Sequence, residues 1–374
     1  MARNPFIING YEGSEYFCDR EQETMQLTNE LINGNNVALV ATRRMGKSGL
    51  VKHCFQQEQI WNEFYTFYID IYATRSLSDF VFRMSREILA GLKPYGRQAL
   101  QRFWESVRSL QAGISFSPLG DVSFNLQIGD IVQSESTLDE IFSYLSSAGR
   151  PCIVAIDEFQ QIANYGDENV EALLRTYIQQ CPNARFIFSG SQRHMMSQIF
   201  LSPSRPFYQS VSIMHLGKID EGKYAYFAKK HFTDNGKQLE DGVVEKVCML
   251  SKNITWYMQK LMNTLFAATE QGGKCTVNMV DEALAYILDS QAFGYREQMF
   301  RLPEKQGRVL IAIAKEGEAA AVTSGAFIRK HRLSSASTVQ SALRGLLEKD
   351  YVTQEQGHYA VYDVFLSYWI VREY

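Results

Sequence analysis

Lys47 and Ser48 follow Gly46 directly, and far along the chain Asp157 and Glu158 stand side by side. A lysine, a hydroxyl and two adjacent carboxylates are the groups that polyphosphate chemistry uses. The ammonium meets the phosphates, the hard oxygens hold Mg2+, and a carboxylate activates water. The first group closes the run Ala41-Thr42-Arg43-Arg44-Met45-Gly46-Lys47-Ser48-Gly49. Its spacing is that of a phosphate-binding loop, G-x-x-x-x-G-K-[ST], with Ala41 in the first glycine position. In such a loop the backbone N–H groups and the helix N-terminus favour an anion. Lys47 then reaches the β- and γ-phosphates, Ser48 ligates Mg2+, and Gly46 is bare because a side chain would collide with the phosphates. Alanine disfavours positive φ, so Ala41 predicts an altered start to the loop and a weaker site. The competing reading is a chance Gly-Lys-Ser. The strand expected before it and the helix after it argue against chance.

Each group needs an element to place it. Val37–Val40 is a short apolar strand entering the loop, and an amphipathic helix leaves it. Residues 151–158, Pro-Cys-Ile-Val-Ala-Ile-Asp-Glu, read as a strand buried on both faces. Two acids at its end must be solvated or paired. Asp157 would hold Mg2+ through water and Glu158 would polarise the attacking water. Residues 184–193 form another buried strand, whose end offers Ser191 or Gln192 as a sensor of the γ-phosphate, with Arg193 a weaker candidate. A plain turn is the alternative there. Between these lie a strand over 64–71, helices over 78–92 and 137–147, and an alternating apolar stretch, 113–128, that predicts an inserted β-hairpin. Before the loop, residues 1–16 read as an extended arm. A helix then runs to about residue 33, with Asp19 as its N-cap.

The 374 residues allow two or three domains, and a hydrophobic share of 45% is ample for folded cores. A net charge of −3 gives no global attraction to nucleic acid. The six cysteines stand singly, with no C-x-x-C pair. They read as reduced core thiols of a cytoplasmic protein, not as a disulfide frame or zinc site. Neither a signal peptide nor a membrane span is expected.

After a Pro-rich connector at 202–208 the pattern turns helical, over 220–233, 240–251, 255–269 and 277–292, which reads as a small lid. Residues 303–374 read as helix, helix, helix and β-hairpin, the winged-helix order. The third helix offers Ser337, Thr338, Gln340, Ser341 and Arg344 to a major groove. The segment carries nine Lys and Arg against eight Asp and Glu, with one basic cluster at 329–332. Such balance weakens the phosphate attraction that drives DNA affinity. The expected domains are 1–215, a P-loop ATPase core; 216–300, a helical lid; and 301–374, a winged helix.

Five stretches occur in order: Phe17-Cys18-Asp19-Arg20-Glu21, Arg43-Arg44-Met45-Gly46-Lys47-Ser48, Ile156-Asp157-Glu158, Phe188-Ser189-Gly190-Ser191 and Arg205-Pro206-Phe207-Tyr208. With these the chain resembles the archaeal-type ATPase family of the AAA+/STAND P-loop proteins, in its bacterial branch with a C-terminal winged helix. The resemblance implies an α/β fold with a parallel sheet, the Asp-Glu strand beside the loop strand, a helical lid and a winged helix. It implies ATP or ADP and Mg2+ as ligands, with Phe17 and Arg20 near the adenine. The loop residues Arg43, Arg44, Met45, Gly46, Lys47, Ser48 and Gly49 would surround the phosphates, one of the two arginines turning to solvent. The catalytic set would be Glu158 and Lys47 with Ser191 and Gln192, and the metal set Ser48 and Asp157. Besides Ala41 there are two departures. Tyr208-Gln209-Ser210 stands where many members have Tyr-Gly-Arg, leaving Arg205 as a substitute arginine. Asn253-Ile254-Thr255 replaces a Gly-x-Pro element of the lid.

The implied function is a slow, nucleotide-driven conformational switch that controls the winged helix and works on DNA or a protein partner. The alternative is a DNA-binding regulator with a structural or vestigial nucleotide site. A metabolic kinase is weaker, because Glu158 suits water as the acceptor.

Overall fold

The computed structural model describes residues 3–116, 122–124, 133–166 and 169–374, with 111–116 and 122–124 as backbone alone. Two compact units divide the chain. One is Ile7–Lys223, and the other joins Met1–Phe6 to Tyr224–Tyr374.

The first unit is built on five strands: β1 (Val37–Val40), β2 (Tyr65–Asp70), β5 (Cys152–Asp157), β6 (Ala184–Gly190) and β7 (Ser212–His215). The numbers between belong to β3 (Ile114–Phe116) and β4 (Val122–Phe124), a separate antiparallel pair. That pair is the core of the expected hairpin; its turn and Leu126 and Ile128 lie outside the described residues. The five strands form one sheet in the order β2-β5-β6-β1-β7, and every pairing is parallel. All four residues of β1 and all six of β5 are buried, as strands covered on both faces must be. The cover comes from helices α1 (Glu21–Ile32), α2 (Lys47–Phe55), α3 (Glu58–Glu63), α4 (Leu77–Leu92), α5 (Arg97–Ser106), α6 (Ser134–Ser147), α7 (Val170–Gln179) and α8 (Arg193–Leu201). Ser76 starts α4 by accepting the amide of Asp79, a serine N-cap.

The strand order corrects one expectation. The Asp-Glu strand β5 does not lie beside the loop strand β1; β6 stands between them. Strand β6 therefore touches both. Its register sets Gly190 against Val40 on one side and Phe188 against Ile156 on the other. A second correction concerns Asp19. Helix α1 begins at Glu21 with no side-chain cap, and both Asp19 and Arg20 take left-handed backbone angles. Asp19 instead accepts from the amide of Asp220 at 3.0 Å and from Lys223 Nζ at 2.8 Å. Burial acts to raise its pKa, but these two donors outweigh it and bring the carboxyl down to about 2.

The second unit holds α9 (Glu221–Asp234, which crosses from the first), α10 (Val243–Leu250), α11 (Thr255–Ala268) and α12 (Val277–Arg301), with β8 (Gln238–Leu239) paired to β9 (Lys274–Cys275). Then come α13 (Glu304–Glu316), β10 (Ala319–Ala320), α14 (Gly325–Lys330), α15 (Ala336–Glu348), β11 (Val352–Glu355), β12 (His358–Val361) and α16 (Val364–Glu373). Strands β10, β12 and β11 form an antiparallel sheet in that order. Gln356 and Gly357, both at positive φ, make the tight turn between β11 and β12. The N-terminal arm does not stay extended in solvent. Phe6 is fully buried among Phe227, Phe232 and Phe266, and Asn4 and Asn263 exchange hydrogen bonds with each other's neighbourhood backbone.

Candidate active site

The carboxyl ends of β1, β5 and β6 lie side by side, and the candidate side chains leave from there, where parallel α/β sheets carry their ligands. β1 releases the loop 41–46, and α2 begins at Lys47. Gly46 has φ 93, a conformation that costs a side-chain-bearing residue dearly. The expected distortion at Ala41 is absent: the non-glycine residue of this loop with positive φ is Arg44, at 70°. Ala41 is buried and its carbonyl accepts from Lys47 Nζ at 2.9 Å, with Thr42 O at 3.2 Å. Burial pushes the Lys47 ammonium below its usual pKa, while Glu158 and Asp157 work against that shift.

Across the sheet end, Ser48 Oγ donates to Asp157 Oδ2 at 2.9 Å. The phenol of Tyr68, on β2, donates to the same oxygen. Sequence reasoning missed Tyr68, because an aromatic inside Tyr-Thr-Phe-Tyr-Ile-Asp reads as strand packing. Parallel register was the only signal: it sets Tyr68 against Ala155 and Asp70 against Asp157. Burial raises the Tyr68 pKa first, and the Asp157 charge raises it further, so the phenol keeps its proton.

Glu158 has φ 57 and ψ 41, left-handed for a residue with a side chain. The neighbours enforce it. Asp157 Oδ1 accepts its amide at 3.0 Å, and its carbonyl accepts from Gln161 N at 2.9 Å. Phe159 then turns into the core against Phe188, with ring centroids 4.5 Å apart. The kink costs on the order of 1 kcal/mol or more and persists only where packing overdetermines it. It swings the Glu158 carboxylate toward β6, where Ser191 Oγ donates to Oε2 at 2.7 Å and Gln160 Nε2 donates to the same oxygen. Arg43 Nε, from the loop, donates to Ser191 Oγ at 3.3 Å. Gly190 makes room for this arrangement: a Cβ there would stand 2.5 Å from Gln160 Oε1 and 2.3 Å from Met196 Sδ.

The expected residues thus divide. Lys47, Ser48, Asp157, Glu158, Ser191 and Arg43 come together. Gln192 is the residue before α8, and the amide that meets Glu158 belongs to Gln160. Arg20 is buried and spent on backbone: its guanidinium donates to Gly217 O at 2.7 Å and Met45 O at 3.5 Å, and pairs with Glu23 at 2.7 Å. Its bond to Met45 ties it to the loop. Phe17 stacks on His53 at 4.3 Å, and a Cβ at Gly49 of α2 would stand 3.4 Å from its ring. Arg205 pairs with Glu171 at 3.0 Å. In the second unit, Ser337, Gln340, Ser341 and Arg344 are exposed along α15. Of the basic cluster, Lys330 and His331 both meet Glu316 at 2.6 Å.

Residues 293–372 match a family described as "Probable winged helix domain". No curated protein matches the chain. Among solved structures it is similar to a Walker-type ATPase of Pyrococcus abyssi, at 18% identity and TM-score 0.68, over 98% of this chain and 99% of that one. It is similar to the ORC2 protein of Aeropyrum pernix in ADPNP and ADP complexes, at 12% identity and TM-score 0.59, over 99% and 98%. The ORC1 protein of Aeropyrum pernix, solved with DNA, aligns at 12% identity and TM-score 0.50, over 96% and 93%. The likeness to archaeal ATPases read from the motifs holds at the level of the fold: this chain has the parallel-sheet α/β fold of those structures, and a winged-helix domain follows it.

Proposed function

We propose that the chain is a Mg-dependent ATP-binding protein and slow ATPase, a cytoplasmic hydrolase of the AAA+/STAND kind, whose nucleotide state controls its winged helix. One observation carries this reading. Ser48 Oγ and Asp157 Oδ2, 109 residues apart in sequence, lie 2.9 Å from each other beside the buried Lys47. The donor set fits Mg2+, which takes one or two protein oxygens and completes its shell with phosphate and water. The loop fits a polyphosphate: a glycine at positive φ, a helix N-terminus and a desolvated ammonium come together at Gly46 and Lys47. Mg2+, when bound, would neutralise charge on the phosphates. Lys47 would exchange its two carbonyl partners for phosphate oxygens. Glu158 would orient water and accept its proton, and Ser191 and Gln160 would fix that carboxylate. Arg43, on Ser191, ties the loop to the sensor strand.

The test is ATP turnover by the wild type and by Glu158→Gln, with and without duplex DNA. Turnover is expected to fall by about 100-fold or more in the variant, with nucleotide affinity kept. Lys47→Ala is expected to lose nucleotide affinity instead. Unchanged affinity in Lys47→Ala would remove the site assignment.

A second reading, a DNA-binding regulator with a structural nucleotide site, draws on the exposed polar face of α15 and on the similar ORC1 protein having been solved with DNA. Fluorescence anisotropy across a salt series separates the two readings. DNA binding that vanishes even at low salt excludes the regulator, because the electrostatic contribution is largest there.

A further inference from the structure

Helix α12 is packed on one side only. Val280, Ala283, Ile287, Leu288 and Tyr295 are buried along its inner face, toward α10, α11 and α16. On its outer face Tyr286 is 67% exposed, Phe293 77% and Phe300 86%. Single exposed aromatics are ordinary. These three stand seven residues apart, and at about 100° per residue they share one stripe about 40° wide. A repeat of seven keeps one stripe turned toward a second helix lying at a shallow angle, and the alternate seam positions, three residues on, are held here by Asp289 and Arg296, so charge pairing belongs to the contact.

The composition of the stripe says which helix. Phe293 is its midpoint, with aromatics at equal distance before and after. An antiparallel copy of α12 therefore sets Phe293 on Phe293 and each Tyr286 on a Phe300. Two of the flanking charges follow the same symmetry, while Glu297, about 40° to the other side of Phe293, comes opposite Ser290 of the other copy. Asp289 and Arg296 lie about 40° and 60° to the same side of Phe293, about 6 Å before it and 4.5 Å after it along the axis. In the antiparallel pair each Asp289 comes opposite the Arg296 of the other copy. A parallel pair would oppose like charges. Within one chain Asp289 meets Arg372 at 2.8 Å and Arg296 meets Glu373 at 3.9 Å, both in solvent-exposed pairs that leave these groups at the rim of the stripe.

We propose that α12 is a self-association surface, through which two copies of this chain pair antiparallel about a two-fold axis at Phe293. A patch that is its own complement closes as a dimer and does not propagate.

The full-length chain tests this by sedimentation equilibrium over a concentration series, with Phe293→Cys as a geometric probe. All six native cysteines are buried, so the new thiol is the accessible one, and on the axis it meets its own copy. The expected results are a dimer, and a disulfide-linked dimer of Phe293→Cys under mild oxidation. Phe293→Glu should raise the dimer dissociation constant by about 100-fold or more, as central aromatic contacts do. Arg296→Glu should weaken the dimer, and adding Asp289→Lys should restore it, which a merely structural role of either residue would not produce. Circular dichroism of each variant checks that the helices persist. A monomer at every concentration, or a dimer indifferent to Phe293→Glu, would overturn the proposal. So would a dimer in which Phe293→Cys does not cross-link.

Discussion

Asp157 Oδ2 is shared by two hydroxyls of different character. The Ser48 hydroxyl can turn away toward a cation. The Tyr68 phenol is fixed by its strand and keeps its proton through burial and the neighbouring carboxylate. In the proposed Mg2+ site Tyr68 would hold the carboxylate in place while Ser48 exchanges partners, the role of an outer hydrogen bond around a metal ligand. Tyr68→Phe keeps the ring and removes only the donor. It is expected to weaken the Mg2+ dependence of nucleotide binding by about 10-fold, with little change in Mg-free affinity. A Mg2+ titration of a fluorescent ATP analogue measures this. An unaltered Mg2+ midpoint would reduce Tyr68 to a packing residue at the strand end.

Among elements, those with strong periodicity or continuous apolar runs were legible: β1, β5, β6, α4, and α13 and α15 of the winged helix. The strand β7 was not, since Ser212–His215 is four residues long with only Met214 fully buried. Nor was the order of the strands, because nothing local to β5 or β6 says which lies next to β1. Crossover connections decide that. At the site the motif residues were legible, whereas Tyr68 and Gln160 were not, because their contacts are made through sheet register and a left-handed turn. The same limit hid the junction before α1. Asp19 reads as a helix cap, yet its carboxylate is taken by the amide of Asp220 and by Lys223. Its pKa, about 2 against an ordinary 3.8, gives a pH dependence of known sign. The stabilisation is complete above about pH 4 and is lost as pH falls toward 2, since protonation favours the unfolded chain. The denaturation midpoint of the wild type should therefore exceed that of Asp19→Asn at pH 6, with the gap narrowing between about pH 4 and pH 2. A gap independent of pH would mean that the charge is not what holds this junction.

For the molecule as a whole, the units are not consecutive pieces of chain. Residues up to Phe6 belong with Tyr224–Tyr374, and Ile7–Lys223 lies between. Phe6 is buried within the helical unit as completely as any residue of its core. Phe6→Ala should cost that unit about 3–5 kcal/mol. Hydrogen exchange should quicken in α9 and α11 and stay unchanged in β1, β5 and β6. Equal acceleration in both units would show that they unfold as one. The chain crosses between the units twice, after Phe6 and after Lys223. In covalent terms the sheet unit is a guest inserted into its host. A protease that cuts one crossing leaves the two still tethered by the other, and a short linker from Phe6 to Tyr224 would rebuild the host as a continuous polypeptide without its guest.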